Sequence, residues 1–326
     1  MKALVFLGAE QMALRDEAEA SAQAPGEVLM RVDAAGICGS DLHAYHGHDP
    51  RRVPPLILGH EAVGRLADGR RVVPNPLISC GRCARCSEGR ANLCPQRRML
   101  GMQHAGCFAE AVAAPESNLI EVPPHASDVA ATLTEPAACV LHGLHLAQRA
   151  LARPVAEARC LVIGGGAIGL LGALYLRAWG ARNTLLAETL EGRRRAVERA
   201  GAADCFDPRS TEAEASGFDL VFDAVGSGIT RGMASQAAAP GGAILHIGLQ
   251  DNEPGLDTRR VTLQEIAVLG TYTYTRADMV QALAALADGV LGDLAWVEER
   301  PLAEGAAAFA ELGSGRSAVP KIILRP

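Results

Sequence analysis

The sequence predicts an α/β chain made of two unlike parts: an irregular β-rich lobe and a doubly wound parallel sheet. Three observations carry that prediction. Residues 1 to about 125 hold short alternating runs broken by Gly and Pro, the pattern of short strands and turns. From Arg159 onward, apolar strand-like runs alternate with helix-like segments, the rhythm of strand–helix–strand units around a parallel sheet. Between the first such strand and its helix lies Gly164-Gly165-Gly166-Ala167-Ile168-Gly169, a glycine-rich turn of the kind that joins strand to helix in such sheets.

In the lobe, the expected strands are Met1–Leu7, Glu27–Ala34, Glu61–Leu66, Arg71–Val73, Phe108–Ala114 and Leu119–Val122, and Pro123-Pro124 punctuates its end. Ala126–Leu151 has helical spacing and few turn signals. The alternating region then reads as strand Cys160–Ile163, helix Ala167–Trp179, strand Thr184–Ala187, helix Gly192–Ala200 and strand Leu220–Ala224. Helix Ile229–Ala239, strand Ala243–Ile247 and a closing segment Val261–Gly270 follow. The remainder adds helices Met279–Ala287 and Ala303–Leu312 and a last strand, Lys321–Leu324.

At 326 residues the chain has room for two domains, and its 49% hydrophobic and 21% charged composition is that of a globular protein with a sizeable core. The formal charge of -6 argues against nucleic acid as the main partner. Lysine occurs only as Lys2 and Lys321. The longest apolar run, Cys160–Leu176, contains three consecutive glycines and so reads as strand, turn and buried helix; no membrane span is expected. The N-terminus lacks the length and cleavage site of a signal peptide, which makes the cytoplasm the expected location.

The glycine turn matches G-x-G-x-x-G in the context that gives this pattern meaning. Gly164 allows the tight turn, Gly166 lets the backbone approach a pyrophosphate, and Gly169 lets helix and strand pack closely. Such a turn often serves packing alone. Here Glu188 ends the next strand, 19 residues after Gly169, where a carboxylate binds the ribose hydroxyls of a dinucleotide. A carboxylate also repels a 2′-phosphate, which favours NAD over NADP. Arg193 is the counter-argument, since an arginine there could hold that phosphate; Arg194 and Arg195 are read as a solvated helix face.

Two groups of metal-type ligands lie upstream. Cys80, Cys83, Cys86 and Cys94 fall within 15 residues of a glycine- and arginine-rich loop. Four thiolates close a tetrahedron around Zn²⁺ and stabilise a lobe with little core of its own. A merely thiol-rich loop is the plain alternative, and a nucleic-acid-binding zinc ribbon is disfavoured by the acidity and the few aromatics. The second group, Cys38 with His60-Glu61, mixes sulfur, imidazole and carboxylate and can leave a position open for chemistry.

The segments Cys38-Gly39-Ser40-Asp41-Leu42-His43 and Gly59-His60-Glu61, the cysteine quartet, Glu135-Pro136 and the glycine turn occur in this order. Together they resemble the zinc-dependent medium-chain dehydrogenases, within them the polyol- and threonine-dehydrogenase-like branch, over nearly the whole chain. The resemblance implies a GroES-like domain at residues 1–136 and 273–326 and a Rossmann domain at 137–272. It implies two zinc ions per chain. Cys38, His60 and Glu61 would hold the catalytic one, with Glu135 close behind as an exchangeable ligand or substrate contact. Ser40 and His43 would form a proton relay, and histidine is suited to release a proton near neutral pH. Ile168, Ile247 and Leu249 would wall the nicotinamide, and Lys321 would lie near the cofactor phosphates.

The implied activity is hydride transfer from a zinc-bound alkoxide of a small polar alcohol to NAD. The substrate would be a polyol, an amino alcohol or a hydroxy acid derivative, and the enzyme a homodimer or homotetramer paired through Val261–Leu269. The chain departs from the sugar-alcohol enzymes at Thr273, where those often carry an arginine. The competing readings are a zinc-free reductase of the same fold and a zinc-stabilised binding protein without activity. Cys38 and His60 argue against the first, and the joint presence of Ser40, His43 and Glu188 against the second.

Overall fold

A computed structural model describes residues 1–326. The lobe is a mostly antiparallel sheet in the order Leu119–Glu121, Arg71–Pro74, Glu61–Arg65, Glu27–Gly36, Lys321–Arg325, Val297–Pro301, with Ala111–Pro115 also paired to Glu27–Gly36. A smaller sheet joins Lys2–Gly8 to Gln11–Asp16 and Leu56–Ile57. The final strand pairs antiparallel at Ile323 and Leu324 with Gly36 and Ala35, so the C-terminus returns to the lobe beside Cys38. Phe108 and Phe309 meet edge to face in its core, with ring centroids 5.7 Å apart. Burying each such ring contributes about 2–3 kcal/mol.

The second part is a six-stranded sheet, parallel throughout: β1 (Arg159–Ile163), β2 (Asn183–Ala187), β3 (Asp204–Phe206), β4 (Phe218–Asp223), β5 (Ala238–His246) and β6 (Ala267–Gly270). Their spatial order is β3-β2-β1-β4-β5-β6. The order reverses between β1 and β4, and in open sheets of this kind the ligand crevice lies beyond the carboxyl ends of the strands at that reversal. Gly164 leaves β1 there, and Asp223 ends β4 there. Its buried carboxylate accepts hydrogen bonds from the Val225 and Gly226 amides at 3.0 and 2.9 Å and shapes the turn that floors the crevice.

Three departures from the sequence pattern have physical causes. The helical stretch at 126–151 is two helices, Asp128–Thr132 and Thr134–Ala150, hinged at Leu133. Pro136 has no amide proton to continue the first helix and sits instead in the opening turn of the second. The segment Val261–Gly270 divides into helix Thr258–Leu263 and the edge strand β6. Val297–Pro301 is a strand despite its charges: as an edge strand it leaves Glu299 free to pair with Arg325 across the ladder, 2.6 Å apart.

Helix Thr134–Ala150 packs along helix Arg276–Ala287, and a buried polar knot joins them. Asp278 accepts from His142 Nδ1 at 2.8 Å, His145 Nδ1 at 2.9 Å and the Thr275 amide at 2.9 Å. Burial alone would raise its pKa. The bonds from His142, then those from Thr275 and His145, outweigh that and hold the carboxyl far below the ordinary range. A carboxylate depressed in this way contributes stability above its unfolded pKa, near 4, and loses it as pH falls further through the folded value. Melting temperatures taken downward from pH 5 should therefore fall more steeply for the native chain than for Asp278→Asn. Parallel curves would remove the knot as a source of acid sensitivity.

Candidate catalytic site and cofactor crevice

At the crevice, Gly164 has φ of 100°, a conformation open to glycine, and a side chain at Gly169 would strike the Gly164 carbonyl. Glu188, buried at the end of β2, accepts from the Gly165 amide and from the Leu190 amide, each at 2.7 Å. Its carboxylate thus stands beside the glycine turn. Arg193 points toward Gly166 and is steadied by the Ser317 carbonyl at 3.0 Å. Arg194 does not belong to a solvated face: it donates to the Glu188 carbonyl at 2.7 Å and pairs with Asp207 at 3.3 Å. Arg195 is exposed and pairs with Glu191. Ile168 and Ile247 are half-buried on the large core, whereas Leu249, beyond the close approach of Gly248 to Val225, is 69% exposed.

In the lobe, Cys38 caps helix Gly39–Tyr45, and the Asp41 carboxylate accepts the Cys38 amide at 3.1 Å. The other Asp41 oxygen lies 3.4 Å from His60 Nδ1. A carboxylate behind an imidazole fixes its ring and tautomer, a common support for a metal-binding histidine. Cys38, His60 and Glu61 each offer one donor atom, all within 4.8 Å of one another. His60 and Glu61 are buried, and Glu61 Oε1 has no hydrogen-bond partner. Sulfur, imidazole and a buried carboxylate with one oxygen unpartnered form a donor set that fits zinc.

Glu135 opens helix Thr134–Ala150 and lies beside this cluster. Burial, reinforced by the nearby Glu61 charge against the pull of His60, pushes its carboxyl up to about 6. The Tyr274 phenol adjoins it, fully buried. Lys321 has partners other than the expected phosphates: its buried ammonium ion-pairs with Glu61 and donates to the Ile37 carbonyl at 2.9 Å. Ser40 Oγ stands 3.4 Å from His60 Nε2. Burial, and then the neighbouring His48, hold the His43 imidazole below its ordinary pKa.

The sulfurs of Cys80, Cys83, Cys86 and Cys94 also gather within 4.8 Å, with Cys83 and Cys86 Sγ 3.6 Å apart. Amide donors from Arg82 and Cys83 bring the Cys80 thiol down to about 6, close to the thiolate a metal needs. This donor set fits a structural zinc. The lobe also grips the segment that follows β6. Asn92 Nδ2 donates to the Tyr272 carbonyl at 3.0 Å, and the Arg97 guanidinium lies 4.6 Å over the Tyr272 ring. Thr273, next along, holds a left-handed φ of 48° with its hydroxyl buried and unpartnered. A β-branched residue adopts that conformation only where its surroundings impose it.

Sequence reasoning passed over four residues that the fold brings to the site: Asp41, Arg52, Cys139 and Tyr274. Asp41 had a usable signal, an acid three residues after Cys38 at the start of a helix. Cys139 had one as well, four residues after Glu135 on the same helical face, with the thiol 3.7 Å from Glu135 Oε1. Arg52 and Tyr274 had none, because only tertiary folding carries them to Ser40 and Glu135.

A zinc-type donor set on a β lobe, joined in one chain to a glycine-turn dinucleotide motif in a doubly wound sheet, defines a class of two-domain dehydrogenases. The family profile for alcohol dehydrogenase GroES-like domains matches residues 24–124, and that for zinc-binding dehydrogenases matches residues 167–288. An L-threonine 3-dehydrogenase of Streptomyces coelicolor is 33% identical over 99% of both chains. A 2-dehydro-3-deoxy-L-galactonate 5-dehydrogenase of Pseudoalteromonas atlantica is 29% identical over 91% of both. A solved structure from Sinorhizobium meliloti 1021, described as a zinc-binding dehydrogenase bound to NADP, superposes with a TM-score of 0.88 at 29% identity, covering 100% of this chain and 99% of that one. The chain belongs to the zinc-dependent medium-chain dehydrogenase family, in its polyol- and threonine-dehydrogenase-like branch. It is an oxidoreductase, and no helix in it is long and apolar enough to cross a membrane.

Proposed function

We propose that this enzyme oxidises a small polar alcohol with NAD, using zinc held by Cys38, His60 and Glu61. The clustering of those three donors, backed by Asp41, is the observation that supports it most. Cys80, Cys83, Cys86 and Cys94 would hold a second, structural zinc. The domains would be 1–136 with 273–326, and 137–272, a division favoured by the return of Lys321–Arg325 to the lobe sheet. The exposed edge strand β6, with Val268 39% and nearby Leu263 66% exposed, suits pairing with a second copy.

Bound zinc supplies Lewis acidity toward the substrate hydroxyl, and bound nicotinamide supplies the hydride acceptor. The chain does the rest. Asp41 orients His60 through Nδ1. Ser40 receives the proton from the substrate hydroxyl, and His43, with its lowered pKa, passes it to solvent. Glu135 would contact the substrate or stand as an exchangeable ligand. The Gly164–Gly169 turn and its helix N-terminus receive the pyrophosphate, and Glu188 accepts from the ribose hydroxyls. Lys321 holds the Glu61 carboxylate in place. Two of the relatives are named for a hydroxy amino acid and a sugar-acid derivative. That favours an amino alcohol or a hydroxy acid derivative over a plain polyol, as does Thr273 in place of an arginine.

The test is a panel of such alcohols followed by NADH absorbance, with NADP in parallel. Glu188→Gln should raise KM for NAD about tenfold, since an ionised acceptor for the ribose hydroxyls is lost, and should narrow any preference against NADP. An unchanged KM would refute the role given to Glu188. Failure of every alcohol with both cofactors would overturn the substrate class.

A further inference from the structure

Arg52 is buried, its side chain 1% exposed, and each arm of its guanidinium is engaged. Nη1 lies 2.6 Å from Asp49 Oδ2, Nε donates to the Gly101 carbonyl at 3.0 Å, and Nη2 donates to Ser40 Oγ at 3.2 Å. Asp41 Oδ1 stands 3.9 Å away. A charge taken out of water is costly unless paired and hydrogen-bonded, and Asp49 with Gly101 would suffice for that. The third arm reaches a hydroxyl proposed to carry a proton.

A guanidinium has donors and no acceptor. A hydroxyl has one proton and two acceptor lone pairs. Arg52 therefore occupies one lone pair of Ser40 from the protein side, and the Ser40 proton cannot point toward it. His60 Nε2, at 3.4 Å, is the other protein group within reach of Ser40 Oγ. If that nitrogen holds a metal, the remaining lone pair and the proton of Ser40 have no other protein partner.

We propose that Arg52 is a positioning residue that gives the Ser40 relay its direction, a role that rests on the relay reading of Ser40 above. In the transfer the substrate O–H bond breaks and its electron pair stays on that oxygen. The proton joins Ser40 Oγ while Ser40's own proton leaves along the path to His43. The hydride on the adjacent carbon would pass to the nicotinamide, which supplies the acceptor when bound. By holding one lone pair of Ser40, Arg52 leaves the other to accept the substrate proton as Ser40's own proton departs.

Arg52→Lys keeps a cation beside Asp49 but cannot span Asp49, Gly101 and Ser40 together. Asp49→Asn/Arg52→Gln removes both charges of the buried pair and offers a second route should the lysine variant fold poorly. Each is combined with Ser40→Ala in a double-mutant cycle. The expected result is a roughly tenfold fall in kcat in the wild-type background, the size of one charge-assisted hydrogen bond, and none in the Ser40→Ala background. The solvent deuterium isotope effect on kcat should rise. Zinc content and the calorimetric affinity for NADH should stay unchanged. Equal losses in both backgrounds, or no loss in either, would overturn the proposal. An unimpaired Ser40→Ala variant would overturn it too, but through failure of the relay reading, which the cycle separates from failure of Arg52 alone.

Discussion

Cys38→Ser is expected to lower kcat/KM for alcohol oxidation by about a thousandfold or more. Serine is not ionised near neutral pH, so the open donor set keeps only His60 and Glu61 and loses its soft anionic ligand. Lewis-acid stabilisation of a developing alkoxide is worth several kcal/mol, and about 4 kcal/mol corresponds to that factor in rate. Metal analysis should find one zinc per chain rather than the two that the two donor groups allow. Calorimetric titration with NAD should be little changed, because the glycine turn and Glu188 lie on the other part of the fold. Full activity in a variant with one zinc would show that Cys38 takes no part in the chemistry.

Cys94→Ser should have the largest effect on stability. Cys94 is fully buried and accepts the Cys80 amide at 3.5 Å. Its loss would leave three thiols to hold the metal, and the short elements around it, Ala84–Ser87 and Ala91–Leu93, have too few residues to hold their shape alone. Loss of a structural metal is among the few single changes that cost on the order of 5 kcal/mol. Thermal melting should fall well below that of the native chain, and a chelator should reproduce the shift in the native protein. Because Asn92 and Arg97 of this lobe hold Tyr272, the variant should also cut early in limited proteolysis near residues 271–274. Unaltered melting with only one zinc bound would show that the quartet is not a staple.

Much of the fold is legible in the order of the residues. The parallel strands stand out because residues buried on both faces of a sheet must be apolar, as in Cys160–Ile163 and Leu220–Phe222. The glycine turn is legible because a close backbone approach excludes side chains. Less of the lobe can be read this way. Val297–Pro301 is charged, Leu56–Ile57 has two residues, and the pairing partners of each lie far along the chain. No local period encodes such contacts.

The site divides in the same way. Local spacing determined which residues could carry the chemistry: a thiol beside Ser40 and His43, the His60-Glu61 pair, four cysteines in one loop, and Glu188 after the glycine turn. Ligand chemistry restricts residue type, so it leaves a mark in a single sequence. Only the tertiary structure decided which groups stand behind them. It set Asp41 against His60, Arg52 against Ser40, Tyr274 against Glu135 and Lys321 against Glu61. Lys321 and Glu61 are 260 residues apart, and their pairing exists only because the last strand returns to the strand beside Cys38. The physical reason is that a buried charge needs a partner at atomic distance, and folding supplies that distance without regard to separation along the chain.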